Sequence, residues 1–229
     1  MFWIFANALG VVISGIIGIF LKKYISNRQS DSLMTILGLL IIIIGIQGAL
    51  EVENMLLMII SLALGTFIGS GLKIHDRVDN LASSSSFKNL NSNFLKNSVT
   101  IVLIQCSGSL SILAALNYGL KGDATLIQFK TVLDIASGLI FASIYGASIF
   151  VSAAVLLVYQ GGIFLLSGLL NQFLTPEVIN EFSAVASVIL IGVGLALMKI
   201  KNFKALDYLP AMFIPIIWHL IQMAYSYFI

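Results

Sequence analysis

Few residues of this chain can do chemistry, and the densest group lies between Asn117 and Gly138. Lys130 and Asp134 stand four apart in an apolar run, so on a helix they share one face, which Ile127 and Ser137 extend. Asp123 precedes them in a turn with Gly119 and Gly122, at the mouth of that stripe. If the helix enters a membrane near Thr125, Asp134 lies about 14 Å down at about 1.5 Å per residue, close to the middle of a layer about 30 Å thick. Lys130 lies about 8 Å down on the same scale, within reach of the interface or of Asp134. A charge at mid-bilayer depth costs about 2.5–3.5 kcal/mol on insertion scales unless it is paired or hydrated. Two arrangements answer that cost: an ion pair that only holds helices together, or a polar site on the path of an ion or solute.

The apolar run before this segment offers partners. Gln105, Cys106, Ser107, Ser109 and Ser111 fall in one short stretch that ends at Asn117. If the two runs pack as an antiparallel hairpin, these groups face Lys130 and Asp134. Ser107, Ser111 and Ser137 then line a hydrated path, although a serine can equally bond back to its own helix. Three positions are secondary candidates. Gln160 stands beside Gly161 and Gly162, where structural bonding is the plainer role. Asn7 reads as lying near the outer surface, as a cap or at an entrance. His219 follows Trp218 in a run containing Pro210 and Pro215, and could respond to protons. A lone histidine beside an aromatic is more often structural.

Other chemistry finds no support. A nucleophile elbow around Ser109, a His-Glu-x-x-His zinc motif and a phosphate loop are all missing, so the chain reads as no enzyme. One cysteine, Cys106, and two distant histidines, His75 and His219, make no metal motif, and no cofactor is expected. Lys and Arg are too few and scattered for nucleic-acid binding. The run His75-Asp76-Arg77-Val78-Asp79 reads as a solvated helix end.

These groups are set in a chain of 229 residues, 59% hydrophobic and 10% charged, against about 25% charged for a soluble domain. Apolar runs long enough to cross a bilayer occur at about 2–21, 33–50, 55–72, 98–116, 125–145, 147–170, 182–198 and 209–228. The sequence therefore predicts an all-α polytopic bundle of about eight spans. The first run lacks a basic region ahead of it and reads as a retained span. Loops 22–32, 73–97 and 199–208 carry most of the Lys and Arg. The loops bearing Glu51 and Glu53, Lys121 and Asp123, and Glu177 and Glu181 are acidic or neutral. Placing the basic loops inside puts both termini outside.

The joint Tyr145-Gly146-Ala147-Ser148 reads as a tight hairpin; one bent span over 125–170 would reduce the number to seven. Residues 1–229 form a single integral membrane domain, its two halves joined by the polar cytoplasmic linker 73–97. Rows of small residues at spacing four (Gly10, Ser14 and Gly18; Gly65 and Gly69; Ser107, Ser111 and Ala115) predict close helix packing. A faint echo links residues 5–15 with 182–192, as in transporters built from duplicated units.

Cys106-Ser-Gly108, Gly119-Leu-Lys-Gly-Asp123, Lys130-Thr-Val-Leu-Asp134, Glu181-Phe-Ser-Ala184 and Leu209-Pro210-Ala211 together resemble the YdfK/YqgA-like family of bacterial inner-membrane proteins, grouped as domain of unknown function 554. Ala186-Ser187 and Asp207 depart from the paired glycines and the asparagine of that pattern. The resemblance implies a bacterial cytoplasmic membrane location and a transport-like fold, and brings no substrate. The resulting expectation is a transporter or channel-like protein for a small ion or polar solute, partnered by the lipid bilayer, with a homo-oligomer left open. The alternative is a non-transporting membrane protein that organises or regulates a partner, with Lys130 and Asp134 as a structural pair.

Overall fold

The computed structural model describes residues 1–24, 26–83, 92–106, 109–171 and 173–228, with backbone alone at 27, 30, 78, 79, 81–83, 92, 109 and 226–228. Among the described residues there are helices and turns and no strand. In chain order the helices are α1 (Phe2–Lys22), α2 (Asn27–Ala49), α3 (Met55–Gly71), α4 (Ile74–Ser83), α5 (Ser92–Cys106), α6 (Ser109–Lys121), α7 (Thr125–Tyr145), α8 (Ile149–Leu165), the short α9 (Ser167–Leu170), α10 (Pro176–Leu197) and α11 (Leu209–Phe228). Two compact units emerge, each taking segments from both sides of the 73–97 stretch. Unit 1 comprises residues 1–37 and 78–168, and unit 2 comprises 38–77 and 169–229.

The side-chain pattern is that of helices dissolved in lipid. α1 turns Phe2, Phe5, Leu9, Ile13, Ile16 and Phe20 outward and buries Asn7, Ala8, Gly10, Ser14 and Gly18. Large apolar groups cost nothing against hydrocarbon, whereas small ones let backbones approach, so the outer face is the greasier one. Six helical stretches are long and apolar enough to cross a membrane, seven when the bent pair α5–α6 is taken as one crossing. One of the six, Thr125–Leu165, runs 41 residues, twice the roughly 20 that a crossing needs.

Contacts along α1 show that this long stretch doubles back. Gly10 faces Thr131 and Ile135, Ser14 faces Gly138, and Gly18 faces Leu139 and Ala142, so α1 and α7 run parallel. Gly15 instead faces Ile149 and Phe150, while Asn7 reaches Gln160, so α8 runs the opposite way. The reversal is a 3-10 turn over 146–148, entered through Gly146 at φ 64°, a conformation that costs a residue with a Cβ. α1 lies wedged between the two arms over a core of Val11, Phe141, Ala142, Ile149, Ala153 and Leu156. Counted as two crossings, the hairpin brings the number to the eight read from the sequence.

One boundary differs. The run read as a single span at 98–116 is two helices, α5 and α6, bent by 59° relative to each other. The stretch read as linker contains α4 and the start of α5, with residues 84–91 lying outside the described ones.

In unit 2, Gly38 faces Gly194 and Met198 while Gly45 faces Ser187 and Ile191, so α2 and α10 are antiparallel. Gly65 against Ala211 and Gly69 against Asp207 make α3 and α11 antiparallel as well. Buried acids cap helix starts at both ends of this unit. Glu181 on α10 accepts the N–H of Asn54, the N-cap of α3. Asp207 accepts the N–H of His75 at the start of α4, and beside it Lys204 reaches Asp76 at 2.8 Å. An acid at a helix start meets free N–H groups and the positive end of the helix dipole. The His75–Asp79 run is thus a capped helix end.

Candidate functional site

α7 brings Lys130 and Asp134 onto one buried face, as their spacing of four requires. Lys130 Nζ donates to Asp134 Oδ1, with Asp134 only 2% exposed and Lys130 7% exposed. The second carboxylate oxygen is held from α1, where Asn7 Nδ2 donates to Asp134 Oδ2 at 3.0 Å. The same nitrogen donates to Gln160 Oε1 of α8, also at 3.0 Å. Asn7 and Gln160 are both fully buried. Three helices therefore converge on one carboxylate, directly or through a single amide.

The broken helix supplies the other wall. Gln105, near the end of α5, donates through Nε2 to Ser137 Oγ at 3.5 Å, and Ser137 Oγ donates to the Asp134 carbonyl at 3.2 Å. Ser111 of α6 donates to the Gln105 carbonyl at 2.7 Å, and Tyr159 of α8 reaches the Cys106 carbonyl at 3.5 Å. Side chains of α6 and α8 thus bond the last carbonyls of α5.

Among the described residues, several buried atoms here have no hydrogen-bond partner: Asn7 Oδ1, Gln105 Oε1 and Gln160 Nε2. Bare polar atoms buried away from water are rare in native structures and each asks for an explanation. Asn7 Nδ2 faces two acceptors, Asp134 Oδ2 and Gln160 Oε1. With its nitrogen turned to both of them, the amide oxygen is left without a partner among the described residues.

A scan against family models matches residues 3–220 to the protein of unknown function family DUF554. The chain belongs to the DUF554 family. It is 32% identical over 219 residues to the uncharacterised membrane protein YdfK of Bacillus subtilis (strain 168), covering 94% of each chain. It is 30% identical over 215 residues to the uncharacterised protein YqgA of Escherichia coli (strain K12), covering 91% of this chain and 92% of that one. No solved structure matches. As a DUF554 member with apolar helices of spanning length, the chain is a membrane protein.

Within this family framework the structure sorts the residues singled out from sequence. Lys130, Asp134, Ser137, Gln105 and Ser111 are brought together, and Asn7 and Gln160 join them. Asn7 is not at a rim, because the parallel packing of α1 on α7 sets it level with the pair. Asp123 is exposed and turned to its own helix start, accepting the Thr125 N–H at 3.0 Å and the Thr125 hydroxyl at 2.8 Å. Those two bonds hold its carboxyl below the usual carboxylate value. Asn117 is half-buried on α6, at the end where Ala114 and Tyr118 pack with Ile127 and Ala124. Ser107 lies outside the described residues. His219 belongs to unit 2, in a shallow cleft with Phe173, Thr175 and Gln222. The sequence reading passed over Tyr159; its signal was its place beside Gln160 in an otherwise apolar helix.

Proposed function

We propose that this DUF554 protein is a secondary transporter or channel-like protein for a small ion or polar solute, with its site in unit 1 around Lys130 and Asp134. The supporting observation is the set of bare amide atoms on Asn7, Gln105 and Gln160 close to a buried ion pair, beside the bent helix pair α5–α6. Structural pairs are normally satisfied throughout, since an unmet polar group in a low-dielectric interior is costly. Transport sites combine discontinuous helices with polar groups that wait for a ligand. The chain acts without enzymatic chemistry on this reading, in a bacterial cytoplasmic membrane with both termini outside.

Asp134→Asn keeps the shape of the side chain and removes its charge. Reconstituted into liposomes, the variant should remain folded and lose the flux of whichever solute the wild type carries. Unchanged flux would remove Asp134 from the path.

A second reading has its own support: Lys130 and Asp134 are clasped together and nearly inaccessible. A transporter caught closed has this look, and so does a protein that organises a partner and uses the pair as a rivet. The rivet predicts that losing either residue lowers stability and that losing both partly restores it.

A further inference from the structure

Unit 2 carries an apolar furrow between α3 and α11, with a cavity volume of about 330 Å³. α3 gives it Asn54, Ile60 and Leu64, and α11 gives it Ile214, Trp218 and Ile221. The two helices are antiparallel, so Asn54 and Ile221 mark one end while Leu64 and Ile214 mark the other. That second end is shut where the backbones touch, since a Cβ on Gly65 would stand 2.2 Å from Ala211 Cα. From Asn54 to Leu64 the furrow runs about 15 Å at about 1.5 Å per residue, half of a hydrocarbon layer about 30 Å thick. Its depth is that of one lipid leaflet. Spread over that length, the volume leaves a cross-section of about 20 Å², against about 80 Å² for a helix about 10 Å across. A furrow so narrow suits a single hydrocarbon chain better than a helix of a second copy.

The open end is acidic. Glu53, exposed and next to Asn54 in the chain, accepts from Asn180 Nδ2 at 2.9 Å. Glu181, 2% exposed, takes the Asn54 N–H on Oε1 at 2.5 Å, and its Oε2 has no partner among the described residues. The lysines and the arginine of unit 2 (Lys73, Arg77, Lys199, Lys201 and Lys204) follow α3 and α10 or precede α11, at the opposite ends of those helices. A headgroup at the mouth therefore meets carboxyl groups and neither lysine nor arginine, which favours an ammonium and disfavours a purely anionic headgroup. We propose that the furrow holds one acyl chain of an aminophospholipid, whose ammonium meets Glu53 at the mouth. The site lies within unit 2 and does not depend on the transport reading of Lys130 and Asp134.

The chain has two tryptophans, Trp3 and Trp218, so Trp3→Phe leaves the one in the furrow as sole reporter. The full chain with Trp3→Phe is reconstituted into phosphatidylcholine liposomes containing a small, equal fraction of brominated phosphatidylethanolamine or brominated phosphatidylglycerol. Bromine on the acyl chains quenches tryptophan emission at short range. The ethanolamine lipid should quench Trp218 about threefold more effectively, as for one exposed charge pair. Glu53→Gln lies at an exposed position and should bring the two lipids level. Ile60→Phe with Ile217→Phe fills the furrow and should also remove the preference, with the thermal unfolding midpoint in detergent confirming that each variant folds. Equal quenching by the two lipids before any furrow change, or stronger quenching by the glycerol lipid, overturns the headgroup assignment. A preference that survives both Glu53→Gln and the filled furrow places the lipid elsewhere and overturns the site. Trp218 shielded from both lipids, with a dimer trapped by cross-linking, assigns the furrow to a second copy and overturns the proposal.

Discussion

Asn7 donates both protons of its side-chain amide, one to Asp134 Oδ2 and one to Gln160 Oε1. Replacing it with leucine keeps the volume and removes both bonds, leaving a carboxylate oxygen and an amide oxygen unmet. The expected loss is about 1–3 kcal/mol, measured as unfolding in detergent. Lys130→Ala or Asp134→Ala should cost about 3–5 kcal/mol, because each leaves a buried charge uncompensated. The double replacement by apolar residues then decides how much of that cost belongs to the pair. At the surface, the two Thr125 bonds depress the Asp123 pKa. Its contribution to the start of α7 is therefore complete above the ordinary carboxylate value and fades as pH falls through the lower folded one. Thr125→Ala should move the Asp123 titration upward, which carboxyl NMR in detergent would read. The Lys130–Asp134 pair was legible in the sequence because spacing of four on a helix dictates it. The rank of Asn7 was not, because one polar residue near a chain end gives no sign of the helix it will meet.

Elements carry the next layer. α1 approaches α7 so closely that a Cβ on Gly18 would stand 2.6 Å from Ala142 Cβ. Gly18→Val should destabilise this helix pair by about 1–3 kcal/mol, as overpacking generally does, and the loss should show in the unfolding midpoint. The row Gly10, Ser14 and Gly18 announced the interface without naming the partner, since small residues at spacing four mark a face and say nothing of what lies on it. In unit 2, Glu181 is the acceptor for the N–H of Asn54 at the head of α3. Glu181→Ala should therefore fray that helix start and cost about 0.5–2 kcal/mol, the usual range for a lost cap. Amide exchange at Asn54 would report it before global unfolding does. The break between α5 and α6 is the element that periodicity missed. Apolar residues continue on both sides of it, so hydropathy runs through, and only the cluster Cys106-Ser107-Gly108-Ser109 marks the place.

On the scale of the whole molecule, the directions of packed helices test the order of crossings. An alternating eight-span path makes α1 and α7 both run inward, α8 outward, and α2 and α3 opposite to α10 and α11 respectively. The register shows α1 parallel to α7, α8 reversed, α2 antiparallel to α10 and α3 antiparallel to α11. Hydrogen bonds agree, since Glu181 meets Asn54 where both loops are acidic, while Asp207 and Lys204 meet His75 and Asp76 where both are basic. A seven-span path would reverse every helix after residue 145 and break this match. The sense of the whole stack in the membrane rests on the basic loops facing the cytoplasm. With Cys106 replaced by alanine, a cysteine at Asp123 should react with an impermeant maleimide applied to intact cells, and one at Lys201 should react only after permeabilisation. Both sites are exposed, so failure to label is a matter of side and not of burial. The opposite pattern would invert the stack and turn the approach to Asp134 toward the cytoplasm. Labelling of both sites in intact cells would mean that 123 and 201 share a side, which no eight-crossing path allows.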